Sequence, residues 1–217
     1  YDIRGVVEET LTEVAVYEIA RAIGTMAHEL GQQRIVVARD GRESSSGLSE
    51  TLIKGLISTG RDVIDIGMVP TPLLYFATHH LETGSGVMIT GSHNAAEYNG
   101  LKIMLDGNTL SGEEIKDIQN RTNSADYVVG EGDVSYLDIT ADYIGRITED
   151  VPTHTGTPLK IVVDCGNGVA GILAPKLLNA LGHEVIELYC EIDGKFPNHH
   201  PDPSQPENLQ DLVDRVK

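Results

Sequence analysis

The sequence predicts an α/β fold: two consecutive α/β/α units with mostly parallel, mixed sheets. Three observations carry this. Short apolar runs suited to strands buried on both faces alternate with apolar stripes of helical spacing. Glycine and proline separate these segments at short intervals. The alternation then starts again after a Pro/Thr/Gly stretch running from Val151 to Pro158. Alternating helices and strands joined by short loops imply right-handed crossovers onto a largely parallel sheet.

In chain order, Tyr1-Asp-Ile-Arg-Gly5 has no period of its own and reads as a strand end or loop. From Thr10 to Leu30, the spacing of Val14, Tyr17, Ile19, Ala20, Ile23 and Ala27 predicts a packing helix, with Thr10-Leu-Thr-Glu13 as a capping box and Gly31 as the stop. Arg34 to Ala38 is a buried-type strand, followed by Arg39-Asp-Gly-Arg42 and a serine-rich turn. A helix presenting Leu48, Leu52, Ile53, Leu56 and Ile57 closes at Gly60, and Val63 to Ile66 gives the next strand. Val69-Pro-Thr-Pro72 starts a helix through His80, since proline is tolerated in a first helical turn. His79 and His80 read as solvated helix-end residues.

Gly86-Val-Met-Ile-Thr-Gly-Ser-His-Asn-Ala-Ala-Glu-Tyr-Asn-Gly-Leu-Lys102 is the stretch around which the chain is organised. An apolar strand, Val87 to Ile89, ends at Thr90-Gly91, where glycine permits positive φ. Ser92 then stands at the strand's carboxyl end, the edge at which open α/β sheets bind ligands. A polar hairpin turn is the plainer reading, but His93, Asn94, Tyr98, Asn99 and Lys102 are numerous and varied for a simple connection. Leu101 to Leu105 is a strand, Ser111-Gly-Glu-Glu114 a second capping box, and Asn120 to Gly132 a polar surface loop. The domain boundary falls near Leu137, giving units 1–137 and 138–217, the second opening with a helix from Asp138 to Asp150. It continues as strand Leu159 to Asp164, a glycine-rich turn, a helix to Leu181 and strand Glu184 to Tyr189, so that Cys165 and Cys190 follow two adjacent parallel strands as small buried groups. Phe196 to Pro206 is extended and proline-rich, with His199 and His200 stabilising the loop, and a last helix begins near Glu207.

Sixteen basic against 33 acidic residues give a formal charge of −17, which argues against nucleic acid and anionic membranes as partners. A few cations in a cleft still dominate locally, because exposed charges are screened over about 8 Å at physiological salt; Arg4, Arg39, Arg42 and Lys102 are the candidates. No run approaches the roughly 20 apolar residues of a membrane span. Two cysteines are too few for a disulfide framework and lack metal spacing. Reduced thiols and a cytoplasmic location are the expectation.

Thr90-Gly-Ser-His-Asn94 followed by Glu97-Tyr-Asn-Gly-Leu-Lys102 resembles the phosphoserine loop of the α-D-phosphohexomutases, in their bacterial phosphomannomutase/phosphoglucomutase branch. Tyr1 to Gly5, Gly67-Met-Val-Pro-Thr-Pro72, Val163-Asp-Cys-Gly-Asn-Gly-Val-Ala-Gly171 and Phe196-Pro-Asn-His-His-Pro-Asp-Pro203 resemble further signatures of that family in the same order. The resemblance implies an enzyme that interconverts hexose 1-phosphate and 6-phosphate, of mannose and/or glucose, through phospho-Ser92 and a hexose 1,6-bisphosphate intermediate. It implies Ser92, Lys102 and His93 as catalytic residues, with Lys102 moving a proton and stabilising charge. It implies further that Tyr1, Arg4 and Asn94 bind substrate, Arg4 on phosphate and Tyr1 on the sugar. By the same resemblance, Mg²⁺ is expected to contact the Ser92 phosphate, its three aspartates lying beyond residue 217. On this reading the chain is an N-terminal two-domain fragment of a monomeric enzyme whose partners are small-molecule hexose phosphates, its second domain is cut short before the metal loop, and it is inactive alone. Where the family commonly has prolines and a Phe, this sequence has Ala95-Ala96 and Leu101, which predicts a looser loop.

Other readings remain open at this point. Phosphoglucosamine mutase belongs to the same family. Gly166-Asn-Gly168-Val-Ala-Gly171 is formally a Gly-x-Gly-x-x-Gly turn with Glu187 at the distance of a ribose-binding acid, the mark of a dinucleotide-binding Rossmann unit. Asp164 directly before it would set negative charge against a pyrophosphate. A non-catalytic sugar-phosphate binder would use the same cations without phosphorylating Ser92. A Ser-His-Asp hydrolase has little support, since there is no Gly-x-Ser-x-Gly elbow.

Overall fold

A computed structural model describes residues 3–151 and 157–217. Tyr1 and the central part of the Val151–Pro158 stretch lie outside the described residues.

The first unit is a mixed sheet between two helical layers. Its strands are β1 (Ile3–Val6), β2 (Arg34–Arg39), β3 (Asp62–Met68), β4 (Gly86–Ile89), β5 (Tyr98–Leu105), β6 (Asn108–Thr109) and β7 (Val134–Tyr136). They run in the order β1-β5-β4-β2-β3-β7, with β6 paired to β5. β4, β2, β3 and β7 are mutually parallel, and β5 joins antiparallel to β4, β1 and β6. The serine loop is therefore a hairpin connection as well as a functional candidate. β4 is buried along its whole length, as its unbroken apolar run requires.

The alternation of side chains along the strands divides the core. Ile35, Val37, Val87, Ile89, Leu101 and Ile103 face α1 (Glu13–Glu29), α2 (Ser45–Ile57) and α4 (Glu113–Ser124). Val36, Ala38, Ile66 and Met88 face α3 (Thr71–His80). The same second layer takes in Ile139, Tyr143 and Ile144 around α5 (Thr140–Asp150) and Leu173 of the second unit. Tyr143 meets Phe76 of α3 edge-on at 5.3 Å. His79 and His80 are exposed, and His80 stacks on Phe76.

The second unit pairs β8 (Lys160–Asp164) with β9 (Glu184–Leu188) in parallel, followed by α7 (Gln210–Val216); a 3₁₀ turn, Val169–Ile172, and α6 (Ala174–Ala180) connect the two strands. Cys165 and Cys190 do lie side by side past the strand ends, Sγ to Sγ 3.3 Å, but they are half-buried free thiols rather than buried groups. Burial pushes both thiols above their ordinary range, Cys165 further.

Several local expectations are corrected. Thr12, not Thr10, caps α1: its hydroxyl accepts from Ala15 N, while Thr10 Oγ1 accepts from Val6 N in the preceding turn. Asn120 to Gly132 is not a continuous loop, because α4 extends to Ser124, anchored where Arg121 donates to Glu29 at 3.0 and 2.7 Å. β7 follows where no strand was expected; all three of its residues are exposed, so apolar patterning carries no sign of it.

Candidate active site

β2 and β4 are parallel neighbours with Arg39 opposite Ile89, so their carboxyl ends open at the same sheet edge. Asp40 N donates to Ile89 O at 2.9 Å, which brings the Arg39-Asp-Gly-Arg42 turn against the serine loop. There the buried Asp40 carboxylate accepts four hydrogen bonds: from Arg42 N, Arg42 Nε, Ser45 Oγ and Gly91 N, at 3.0, 3.2, 2.6 and 3.2 Å. Ser45 Oγ in turn accepts from Asn99 Nδ2 at 2.9 Å, so Asn99, fully buried on β5, is a structural tie.

Arg42 completes the frame. Nη1 donates to the carbonyls of Ala95 and Tyr98 at 2.6 and 3.1 Å, and Nη2 to those of Ser92 and Asn94 at 3.1 and 2.7 Å. Burial draws this guanidinium below its ordinary range, and the Asp40 carboxylate opposes that. A loop expected to be loose for want of proline is thus held through its carbonyls by a residue about 50 positions earlier in the chain.

The guanidinium lies so close to the backbone that a Cβ at Gly91 would fall 2.4 Å from Arg42 Cζ. Gly91 serves this close approach, and the positive φ expected of it belongs to Ser92, at 55°. Ser92 N donates to Thr90 Oγ1 at 3.0 Å, an interaction that supports the turn.

Ser92 and His93 line a cleft of about 470 Å³. One wall consists of Asp40, Arg42, Pro70, Thr71, Pro72, Met88 and Thr90; the other is the Asp164 to Ala170 turn with Phe196, His199, Pro201 and Pro203 of the second unit. Three of the motifs singled out in the sequence therefore face Ser92. Asn94 is not among the cleft's lining residues; its Oδ1 accepts from Arg4 Nη1 at 3.1 Å. Arg4 is paired opposite Gly100, and Lys102 stands two residues further along β5, so the two cations project from the same sheet face. Lys102 is opposite Met88, which lines the cleft; Lys102 and Arg4 themselves are not among its lining residues. Tyr1 lies outside the described residues. Arg39 is not on the cleft wall either, whereas Arg42 is.

The glycine turn of the second unit is filled by its own chain. Gly166 N donates to Asp164 Oδ1 at 2.8 Å, and His199 Nε2 contacts both Asp164 oxygens at 3.1 Å. The turn runs into a 3₁₀ segment rather than the long helix whose N-terminus would hold a pyrophosphate. His199 therefore stabilises its loop.

Two arginines and an aspartate directly after a buried strand fit a phosphate contact as well as an internal pairing with Asp40; the structure shows the pairing, Arg42 Nε to Asp40 Oδ2 at 3.2 Å, on the wall of the cleft. The structural parts of Ser45 and Asn99 have no signal in the sequence.

The family model for the phosphoglucomutase/phosphomannomutase alpha/beta/alpha domain I matches residues 1–128, and that for alpha/beta/alpha domain II matches residues 141–217. A phosphomannomutase/phosphoglucomutase of Pseudomonas aeruginosa is 52% identical over 217 residues, all of this chain and 46% of the relative. A phosphoglucomutase of Neisseria gonorrhoeae is 50% identical over all of this chain and 47% of its own length. A crystal structure of a phosphoglucomutase/phosphomannomutase family protein from Burkholderia thailandensis superposes with a TM-score of 0.95 at 44% identity, over 100% of this chain and 49% of that one. The chain thus spans about half the length of the relatives it matches.

Proposed function

The chain belongs to the phosphoglucomutase/phosphomannomutase family, and from that premise we propose that it forms the phosphoserine half of a phosphohexomutase interconverting the 1- and 6-phosphates of mannose and/or glucose. One observation carries the reading: Ser92 stands at the carboxyl end of a fully buried strand, on a braced loop, and opens into a cleft walled by both units. We place the division between the units near Leu137.

In the proposed reaction, Ser92 carries a phosphoryl group. The free hydroxyl of a hexose monophosphate attacks its phosphorus, the bond from phosphorus to Ser92 Oγ breaks, and a hexose 1,6-bisphosphate forms. The attacking hydroxyl loses its proton and the departing serine oxygen gains one. Lys102 is the candidate to carry that proton and to offset charge on the face it shares with Arg4. After the bisphosphate reorients, its other phosphate returns to Ser92 by the reverse steps, so the 1,6-bisphosphate is also the activator. Such transfer requires little of a protein beyond positioning and charge. His93 lines the cleft beside Ser92, and the bond from Arg4 to Asn94 supports Arg4 as the group that would tie phosphate binding to the loop. Tyr1 is assigned to the sugar by resemblance alone.

The resemblance also implies Mg²⁺, which would offset phosphate charge. Among the described residues no group of three or more His, Cys, Asp or Glu side chains is placed to hold a metal ion, and a hard cation needs about six oxygen ligands. This chain would offer it an oxygen of the Ser92 phosphate. Among the described residues no helix is long and apolar enough to cross a membrane; a monomeric, cytoplasmic enzyme remains part of the proposal.

The test is Ser92→Ala in the full-length protein. Turnover of both sugar phosphates should vanish, and mass spectrometry after incubation with glucose 1,6-bisphosphate should find phosphate on Ser92 of the parent and none on the variant. Retained turnover would refute the assignment.

A further inference from the structure

We infer that Arg42 is the positioning residue for Ser92, and that the second unit acts on the serine loop through it; this rests on the reading of Ser92 as the phosphoryl carrier. A guanidinium has five N–H donors in a fixed plane. All five are used here, and each acceptor bears on the loop: Nε donates to Asp40, which also binds Gly91 N, and the four terminal N–H groups reach the carbonyls of Ser92, Asn94, Ala95 and Tyr98. The side chain is 1% exposed, so water cannot substitute for a lost partner. One rigid group thereby fixes the direction of the backbone on both sides of the reacting hydroxyl.

The same group is covered by the second unit. The Phe196 ring lies 5.1 Å from Arg42 Cζ, a cation–π distance. Ile192 packs on Gly41, and a Cβ at Gly194 would lie 2.7 Å from Glu43 N and 3.0 Å from Arg42 Cα, so the 192–196 segment sits directly on the arginine's turn. Lys195 Nζ adds an exposed contact to Glu43 Oε1 at 3.4 Å. A displacement of the second unit would thus reach Ser92 through the guanidinium plane.

Lysine at position 42 keeps the charge but has three donors in a tetrahedral array and cannot serve five coplanar acceptors. In the full-length protein, Arg42→Lys is expected to lower kcat by about 10- to 100-fold, the scale of loss when a reacting group is misplaced by about 1 Å. KM for the sugar phosphate should stay within about twofold, and Ser92 phosphorylation by glucose 1,6-bisphosphate should slow in parallel. Phe196→Leu removes the ring face and leaves every charge in place, so it remains informative if Arg42→Lys does not fold; a several-fold fall in kcat with unchanged KM is expected. Phe196→Leu with parental kcat, or a folded Arg42→Lys with kcat within twofold of the parent, would overturn the inference. Those outcomes alongside an inactive Ser92→Ala leave the phosphoserine reading standing, while an active Ser92→Ala removes both.

Discussion

Replacing Asp40 by asparagine changes one atom and should cost nearly as much as deleting the side chain. The carboxylate Oδ1 accepts from Arg42 N and Ser45 Oγ, and Oδ2 from Arg42 Nε and Gly91 N. If the amide NH₂ takes the Oδ2 place, it faces two N–H donors. If it takes the Oδ1 place, it faces the Arg42 N–H, and the Ser45 hydroxyl must reverse, although that oxygen already accepts from Asn99. Neither orientation satisfies the site, and each buried unsatisfied group costs about 1–3 kcal/mol. The substitution also strips a buried guanidinium of its counter-charge, a change worth about 3–5 kcal/mol when one member of a buried pair is lost. We expect Asp40→Asn to destabilise the first unit by about 3–5 kcal/mol, which for a unit of this size lowers Tm on the order of 10 °C. Thermal and urea unfolding followed by circular dichroism measure it. Arg42→Met on the same background should cost less than in the parent, since the two groups are coupled. A loss below about 1 kcal/mol for Asp40→Asn would refute the reasoning.

Three further outcomes follow from named contacts. Thr12→Ala should cost about 1 kcal/mol by removing the N-cap of α1, read as a shift in the urea midpoint; no shift would return the cap to Thr10. At Gly55 an added Cβ would fall 2.4 Å from Ala20 Cβ and 2.8 Å from Tyr17 O, so Gly55→Ala should cost about 1–3 kcal/mol through overpacking of α1 on α2, and an unchanged urea midpoint would contradict it. His199 is the pH-dependent group. Nδ1 faces the His200 carbonyl and Nε2 faces Asp164, both acceptors, which assigns a proton to each nitrogen. Burial alone would lower its pKa, but the His200 carbonyl and the Asp164 carboxylate outweigh that and raise it. A raised folded-state pKa means the stabilisation is fully present below about pH 6.5, the unfolded value, and is lost as pH rises through the higher folded value. NMR titration of the His199 ring should find a midpoint above that of an exposed histidine, and Asp164→Asn should lower it; a midpoint at or below the ordinary value would contradict the assignment.

The sequence by itself determined the alternation of elements and the place of the serine. Apolar runs at Ile35–Ala38 and Val87–Ile89 are legible because a strand buried on both faces must be apolar throughout, and the Leu48 to Ile57 stripe because one helix face must be. Ser92 was legible because a polar cluster directly follows such a strand and because its motif has a family likeness. What only the tertiary structure decided lies where the partner is distant in sequence. Whether Arg42 would contact a ligand or its own chain depended on the parallel pairing of β2 with β4, which carries the Asp40 turn to the loop about 50 residues later. That pairing also gave Gly91 its function as clearance for a guanidinium and shifted the positive φ to Ser92. β7 gave no signal because its exposed residues pair through backbone groups that every residue shares. Hydrophobic periodicity records how much water a face sheds, whereas five planar donors meeting five acceptors is a matter of direction, and direction is fixed only when the strands have taken their places.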